Sequence, residues 1–271
     1  MKTAFIVLSC LIYSNVFGQL DKLRGTWITD TLDGMTIYTS TDGMYHSSIE
    51  PAEKNHFQDY ELFEYGDTLS FQNRYYSSET NYKQLYIDRY DLIVVKITDS
   101  TLLLRPCSEL SQKFYGSKSE IKFIKQEFLR DATIQFEKII YHTTTCFGSC
   151  PEIDLEIDSN KKIYLSVWYM DGSPTQTSKE RSGEFEGVLS DSLYNELILL
   201  LQTCNLKTLY FPDRTGSDAP VTTLIIYFDG KRKYLKSMFP PDIAGGLIGY
   251  LYTIPDRQKL ERANAKKTLE E

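Results

Sequence analysis

The chain has 271 residues and an acidic balance, with 30 lysine and arginine residues against 37 aspartate and glutamate residues, for a formal net charge of −7 at pH 7. An acidic chain without a basic stripe argues against nucleic acid and against anionic lipid surfaces as partners. The length exceeds the about 100–150 residues of a typical domain, which favours two domains.

Residues 1–18 have the layout of a cleavable export signal. Lys2 provides a positive start, an apolar run follows, and Val16 and Gly18 are small or short residues at the positions that flank a cleavage site. We predict cleavage after Gly18 and an exported protein, periplasmic or extracellular. A lipoprotein anchored through Cys10 is the alternative, but the apolar run before Cys10 is short for such a signal. No later segment approaches the ~20 apolar residues of a transmembrane helix.

From Leu23 to about Lys125 the sequence is a series of short strand-like runs separated by turn residues. Asp33-Gly34 and Gly66-Asp67 are two of the turn signals. Apart from the polar segment PAEKNHFQDY, nothing in the series has a helical period. Short strands at regular spacing are typical of antiparallel barrels and sandwiches. We predict an antiparallel up-and-down β-barrel domain over 19–128.

This first half resembles the lipocalin-like domains of exported bacterial proteins. The resemblance rests on Gly25-Thr26-Trp27, the G-x-W motif of the first strand, and on the strand pair YDLIVVKITDSTLLLRP. In that family the tryptophan plugs the closed end of the barrel, so the resemblance implies structural roles for Trp27 and Gly25. The family often sets an arginine of the last strand against this tryptophan, where the present sequence has Lys122 and Lys125. Such barrels can hold a small apolar ligand.

The second half alternates strands with helices. Ser190 is placed to N-cap a helix with leucines at helical spacing, and Asp229-Gly230 is a strong hairpin-turn signal. A last helix is expected from Asp242 to about Ile254. We therefore predict a mostly β, α+β protein whose second domain, 130–256, has one antiparallel sheet and two helices. The charged tail, 257–271, is expected to be a frayed helix or disordered.

The second half also resembles a family known as a domain of unknown function, DUF6438. The similarity rests on CFGSCPEIDLEI, on SGEFEGVLSDSLYNELILLL and on SDAPVTTLIIYFDGKRKYLK, and it extends from about Ile134 to Tyr252. It implies a fold for this half and no activity.

Cys146 and Cys150 allow three interpretations. A thioredoxin-type redox centre uses C-x-x-C at a helix N-terminus, whereas this pair has one more residue between its cysteines and leads into a strand pattern. A zinc site would join the pair with His142, but zinc takes four protein ligands or three plus water, and no further cysteine or histidine lies nearby in the sequence. The third interpretation is a local disulfide.

We predict the disulfide, with Cys107 and Cys204 unpaired. If the segment were fully extended, the Cα atoms of Cys146 and Cys150 would lie about 13 Å apart, beyond the about 7 Å that a disulfide tolerates. The segment must therefore turn, and Gly148 supplies the backbone freedom, which gives this glycine a structural role.

Alternating acidic residues follow the second cysteine. Period two places them on one face of a strand and the intervening isoleucine and leucine side chains on the other. A calcium or cationic-ligand surface is one interpretation, but calcium sites usually draw their ligands from loops, so a solvated sheet face is favoured. The acidic residues are Glu152, Asp154, Glu156 and Asp158.

No catalytic motif, metal site or cofactor site is indicated, because the three histidines His46, His56 and His142 accompany no recognisable signature. The candidate contact surface is loop-based and consists of His142, Arg214 and Asp218. We predict a non-catalytic binding or interaction protein of the bacterial envelope, with a small apolar molecule or an envelope protein as partner. The alternative is a thiol-dependent enzyme, redox or disulfide-exchanging, that uses Cys146 or Cys150.

Overall fold

The chain divides after Phe128 into two units, and the second begins at Leu129. The computed structural model describes residues 22–30, 34–39, 45–50, 59–116, 118–146, 150–170, 178, 181–213 and 216–271. The predicted export signal, with Cys10 and the cleavage site after Gly18, lies outside the described residues.

The first unit is a curled antiparallel sheet in which each strand pairs with the next along the chain. Its last strand returns to the first through the pairs Trp27↔Lys125 and Ile28↔Ile124, which closes the sheet. The eight strands among the described residues are β1 (Gly25–Ile28), β2 (Gly34–Thr39), β3 (Tyr45–Glu50), β4 (Asp59–Tyr65), β5 (Thr68–Tyr76), β6 (Leu85–Ile97), β7 (Thr101–Pro106) and β8 (Ile121–Lys125).

Aromatic side chains pack against one another in the core of this sheet. Tyr60 meets Tyr90 edge-on with ring centroids 5.2 Å apart, and Phe114 meets Tyr90 in the same way at 5.6 Å. Trp27 and Phe71 have no exposed surface. Alternation in β7, where every second side chain is buried, places Leu102 and Leu104 in the same core.

A short helix between β7 and β8, which we call α1 (Glu109–Phe114), corrects the prediction that no helix interrupts the strand series. The side chain of Ser108 accepts a hydrogen bond from the backbone N–H of Ser111, and the Ser111 hydroxyl accepts one from the backbone N–H of Ser108. Six residues are too few to show a helical period, so this reciprocal cap was the only local signal.

Trp27 is held from two sides. Its indole N–H donates to the carbonyl oxygen of Leu23 at 2.7 Å, and the Lys125 ammonium lies 5.7 Å from the ring centroid. Lysine therefore contacts this tryptophan where the family resemblance implies arginine. Gly25 has φ +117°, and a Cβ there would come within 3.0 Å of Lys125 Cε, so both backbone and space favour glycine.

In the described residues of the second unit, seven strands form one antiparallel sheet accompanied by two helices, which confirms a β-rich α+β protein. The strand order is β14-β13-β9-β10-β11-β12-β15. The elements are β9 (Phe136–Thr143), β10 (Glu152–Asp158), β11 (Lys162–Trp168), β12 (Gly183–Val188), α2 (Asp191–Thr203), β13 (Thr222–Phe228), β14 (Lys231–Ser237), α3 (Asp242–Arg257) and β15 (Glu261–Arg262).

One face of this sheet is apolar and buried. In β10 the residues Ile153, Leu155 and Ile157 have no exposed surface, while the acidic residues between them lie on the opposite face. The leucine stripe of α2 and the apolar stripe of α3 are buried as well. The helices thus cover the apolar face of the sheet, which the alternation of apolar and polar residues in the strands requires.

The last segment, 258–271, which we call the strap, is neither a frayed helix nor disordered, and that prediction is wrong. Glu261 and Arg262 pair with Glu186 and Phe185 at the edge of the sheet. Leu269, near the end of the strap, is only 9% exposed. The strap is held by side chains of the sheet that are distant in sequence. Such contacts produce no periodic pattern in the sequence of the strap itself, so they could not be predicted from it.

Within the described part of the chain, no helix combines the length and the apolar character needed to cross a membrane.

We expect the two halves to fold independently, because each has its own strand network and its own buried apolar side chains. Expression of 19–128 and of 130–271 as separate proteins should give two soluble products, each with a cooperative unfolding transition in denaturant. If neither product unfolds cooperatively, the two halves depend on a common core and the prediction is wrong.

Candidate functional site

The side of the seven-stranded sheet opposite the helices carries a row of polar residues, and we call this side the polar face. The strand register aligns one residue from each of six neighbouring strands. In order across the sheet these residues are Lys236, Thr223, His142, Asp154, Ser166 and Glu184. His142, a predicted contact residue, therefore lies near the middle of the row.

His142 links the polar face to the strap. Its Nδ1 lies 2.7 Å from Oδ1 of Asp154, and its Nε2 lies 2.7 Å from the backbone carbonyl oxygen of Glu270. A carboxylate and a carbonyl can only accept hydrogen bonds, so both ring nitrogens must donate, and the ring must be the charged imidazolium. This histidine is thus a switchable contact between sheet and strap.

The surroundings of His142 agree with a charged ring. Burial lowers the pKa of this imidazolium, but hydrogen bonds to Asp154 and to the Glu270 carbonyl, with the charges of Asp154 and Glu271, outweigh burial and hold the pKa above its ordinary value. The carboxylates of Asp154 and Glu271 and the backbone carbonyl of Glu270 therefore favour the protonated ring.

An apolar niche interrupts the polar face. Ile140 and Ile225, on neighbouring strands β9 and β13, have no exposed surface although they lie on this face. They form a small cluster with Tyr164 and with Leu269 of the strap. Burying a leucine side chain is worth about 1.5–3 kcal/mol. The leucine is thus the main apolar anchor of the strap.

Opposite charges hold the strap on either side of Leu269. The Lys267 ammonium lies 2.5 Å from a carboxylate oxygen of Glu156, and the Lys267 backbone N–H donates to the Tyr164 hydroxyl at 2.8 Å. The Glu270 carboxylate accepts from the Tyr227 hydroxyl at 2.5 Å and from Nε of Arg232 at 2.7 Å.

These contacts also set the ionisation of the Glu270 side chain. Its hydrogen bonds from Tyr227 and Arg232 lower the pKa of the Glu270 carboxyl, so this group is an anion over the pH range in which His142 titrates. The strap therefore presents a cation at Lys267 and an anion at Glu270.

A cavity of about 290 Å³ opens beside His142. Its walls include the charged groups of Glu152 and Lys236, the ring of Tyr234 and residue Glu271 of the strap. These lining groups are hydrogen-bond donors, acceptors and one exposed aromatic ring, which suits a polar or peptide ligand better than a purely apolar one.

Residues on both sides of the cysteine pair, Thr145 and Glu152, line the same cavity. Cys146 and Cys150 form a disulfide with a Cα–Cα distance of 5.5 Å. Ahead of the disulfide, Thr144 exchanges hydrogen bonds with the backbone of Val221, its N–H donating to the Val221 carbonyl and its hydroxyl accepting from the Val221 N–H. Gly148 lies outside the described residues.

The two other cysteines of the described chain are free thiols. Cys107 is exposed, and partial burial together with the charges of Asp91 and Asp67 raises its pKa. Cys204 is buried, and burial raises its pKa to about 12. A catalytic thiol needs a stabilised thiolate, and these surroundings disfavour one.

The structure brings together only part of the predicted contact surface. His142 lines the cavity, whereas Asp218 is exposed on the segment that leads to Val221 and does not line it. Arg214 lies outside the described residues. Among the described residues, no cluster of three potential metal ligands is present.

Sequence reasoning missed the most informative residues, which are Tyr164, Tyr227 and Arg232 on the sheet and Leu269 and Glu270 on the strap. The one available signal was a single leucine near the end of a charged segment. Pairing that leucine with Ile140 and Ile225 needs knowledge of which strands are neighbours, and the sequence does not contain it.

A family described as "Domain of unknown function (DUF6438)" matches residues 137–244, which confirms the resemblance predicted for the second half. The match covers less than half of the chain and lies within the second unit. It includes most of the polar face but not the strap. No curated protein is similar enough in sequence to count as a match.

We predict that docking of the strap depends on pH through His142. The pKa of the docked ring is raised, so its stabilisation is fully present below the ordinary value of about 6.5 and is lost as the pH rises through the raised pKa. Hydrogen exchange over 263–271 should therefore be slow at about pH 6 and faster at about pH 8.5, after correction for intrinsic rates.

The matched control for this measurement is His142→Gln, which should remove the pH dependence. The charged and titratable groups that line the cavity beside the ring are Glu152, Asp154, Tyr234, Lys236 and Glu271, and the strap also places the backbone carbonyl of Glu270 against the ring. Exchange in the wild type that does not change between the two pH values would contradict the role of the ring.

Cysteine chemistry provides a second test. Non-reducing peptide mapping should recover Cys146 linked to Cys150. A thiol reagent should label Cys107 in the native protein and Cys204 only in denaturant, because burial shields the second thiol. Cys107→Ser should abolish labelling of the native protein. A Cys107–Cys204 linkage, or four free thiols, is the result that would refute the assignment.

Proposed function

We propose that this protein is an exported, non-catalytic binding protein of the bacterial envelope, and that its second unit binds polypeptide through the polar face. The observation that carries the proposal is the strap itself. The polar face already holds an extended segment of polypeptide by an apolar niche, by paired charges and by hydrogen bonds to the backbone.

The chemistry of the face supports a peptide ligand. Peptide-binding surfaces combine an apolar anchor site with polar groups that satisfy the backbone of the ligand. Here the Tyr164 hydroxyl accepts from a backbone N–H, and His142 donates to a backbone carbonyl. These two contacts act on peptide groups that every polypeptide has, so they favour a polypeptide over another polar molecule.

For the first unit we propose a lipocalin-like domain. The support is the up-and-down order of β1 to β8 and the buried Trp27 with Lys125 beside it. Its core is packed with aromatic side chains, whereas the contacts that hold a segment of polypeptide lie on the polar face of the second unit. We therefore assign polypeptide recognition to the second unit.

A thiol-dependent enzyme is the alternative. Cys146 directly follows Thr145, which lines the cavity of the polar face, so a thiol released by reduction would be close in sequence to a residue of the cavity wall. The disulfide loop leads into β10, a strand, and therefore lacks the helix N-terminus that lowers the pKa of a redox thiol.

Photocrosslinking of the full chain in cells that make the protein tests the proposal. A photoreactive phenylalanine analogue at Tyr234, which lines the cavity and is 44% exposed, should capture a distinct polypeptide. The matched control is the same analogue at Tyr252, which is 39% exposed and lies on α3 away from the polar face. Equal capture at both positions would refute recognition by the polar face.

An insulin-reduction assay separates the alternative from the proposal. The wild type should be no more active than the Cys146→Ser, Cys150→Ser variant. Turnover that depends on these two cysteines would replace the binding function with thiol chemistry.

A further inference from the structure

The strap shows which peptide the polar face selects. We propose that the face is a recognition groove for an extended segment with a cation, a leucine two residues later and a carboxylate directly after the leucine, and that Lys267–Glu270 occupies this groove in cis. The partner is a polypeptide that carries a segment of the same chemistry. This inference rests on the proposed function and specifies its ligand.

Each feature of the segment has its own site on the sheet. The cation site is Glu156, the leucine site is the niche between Ile140 and Ile225, and the carboxylate site is Tyr227 with Arg232. The cation site lies on β10, the leucine site between β9 and β13, and the carboxylate site between β13 and β14, so the distances between the sites fix the spacing of the three features along the peptide.

The charges give the groove a direction. An anion, Glu156, meets the first position of the segment, and a cation, Arg232, meets the last. A peptide bound in the reverse direction would place like charges together at both ends, which costs binding free energy. Between the ends, the Tyr164 hydroxyl accepts a hydrogen bond from a backbone N–H of the segment and His142 donates one to a backbone carbonyl.

The occupant of the groove can be exchanged without unfolding the sheet. The strap crosses the strands, running from a contact with Glu184 on β12 through Tyr164 on β11 and His142 on β9 to Arg232 on β14. Beyond β15, which pairs with β12, residues 264–271 of the strap are not part of the strand ladder, so their release leaves the hydrogen bonds of the sheet in place. Local opening of such a segment costs less than global unfolding.

Covalent attachment makes the strap a strong competitor. A segment joined through a short connection has an effective concentration in the millimolar range. A free peptide therefore binds the intact protein weakly, and a partner gains access when the strap is weakened.

The test measures binding of a fluorescent peptide with the sequence ANAKKTLEE, residues 263–271, to the full chain at about pH 6. Leu269→Asp should release the strap and leave the groove intact, because the substituted residue belongs to the occupant. We expect this variant to bind the peptide at least about tenfold more tightly than the wild type, which corresponds to the loss of one buried leucine in cis.

Two controls establish specificity. A peptide with aspartate in place of its leucine should bind neither protein. Adding Arg232→Gln to the Leu269→Asp variant should weaken binding of the original peptide again, because the carboxylate site is lost. Hydrogen exchange over 263–271 reports whether the strap is released in each variant.

Equal affinity of wild type and Leu269→Asp, with the strap released, would overturn the inference. If Leu269→Asp leaves the strap in place, the comparison is made with Leu269→Asp, Glu270→Lys, and equal affinity there overturns it as well. A wild-type dimer that Leu269→Asp dissociates would assign the groove to a second copy and overturn the choice of a partner.

The two proposals can fail separately. A polypeptide crosslinked through Tyr234 that lacks a cation, leucine and carboxylate at this spacing overturns the motif and leaves the binding function. If the protein binds ANAKKTLEE specifically but no crosslinked polypeptide is found in cells, the recognition groove is supported and the proposal of an envelope partner is refuted.

Discussion

A β-sheet has two faces, and in the second unit helices bury only one of them. The strands place Ile153, Leu155 and Ile157 toward the buried face, but the same alternation leaves Ile140 and Ile225 on the other. Two neighbouring isoleucines on an otherwise polar surface are unfavourable in water. The strap, the cavity beside it and the candidate ligand all follow from how this face is covered.

The covering segment is held by interactions of different kinds, and each responds to a different condition. Burial of Leu269 is insensitive to pH and weakly sensitive to salt, whereas the pairs Lys267–Glu156 and Arg232–Glu270 are partly exposed and are screened by salt. The His142 contacts need a proton on both ring nitrogens. The strap is therefore anchored by its apolar contact and regulated by its polar ones.

The disulfide has a local role. A ring this short contributes only about 2 kcal/mol, because the loop-closure entropy that it removes from the unfolded chain is small. Cys146 and Cys150 lie between two cavity-lining residues, Thr145 and Glu152, and just after Thr144, which is hydrogen-bonded to the backbone of Val221. The bond therefore shapes the rim of the polar face, and the sheet itself is held by its strand ladder and its apolar core.

The sequence by itself determined what depends on neighbours along the chain. Strand alternation in β10, the N-cap at Ser190, the turn at Asp229-Gly230 and the two-part order of elements are local, because period, capping and turn chemistry act over a few residues. The disulfide between Cys146 and Cys150 was likewise predicted from the short spacing of the two cysteines and the glycine between them. In the first unit the sequence similarly predicted a series of strands. It did not predict α1, because a helix of six residues is too short to display a helical period.

Only the tertiary structure decided where the strap lies and what the polar face binds. His142 lies 128 residues before Glu270 in the sequence, and no periodic pattern connects them. The contact depends on the strand order, which places β9 between β13 and β10, and on the end of α3, after which the strap pairs with β12. Long-range contacts of this kind arise from the summed geometry of many elements, so a local reading of the residues could place His142 on a surface and could not supply its partner.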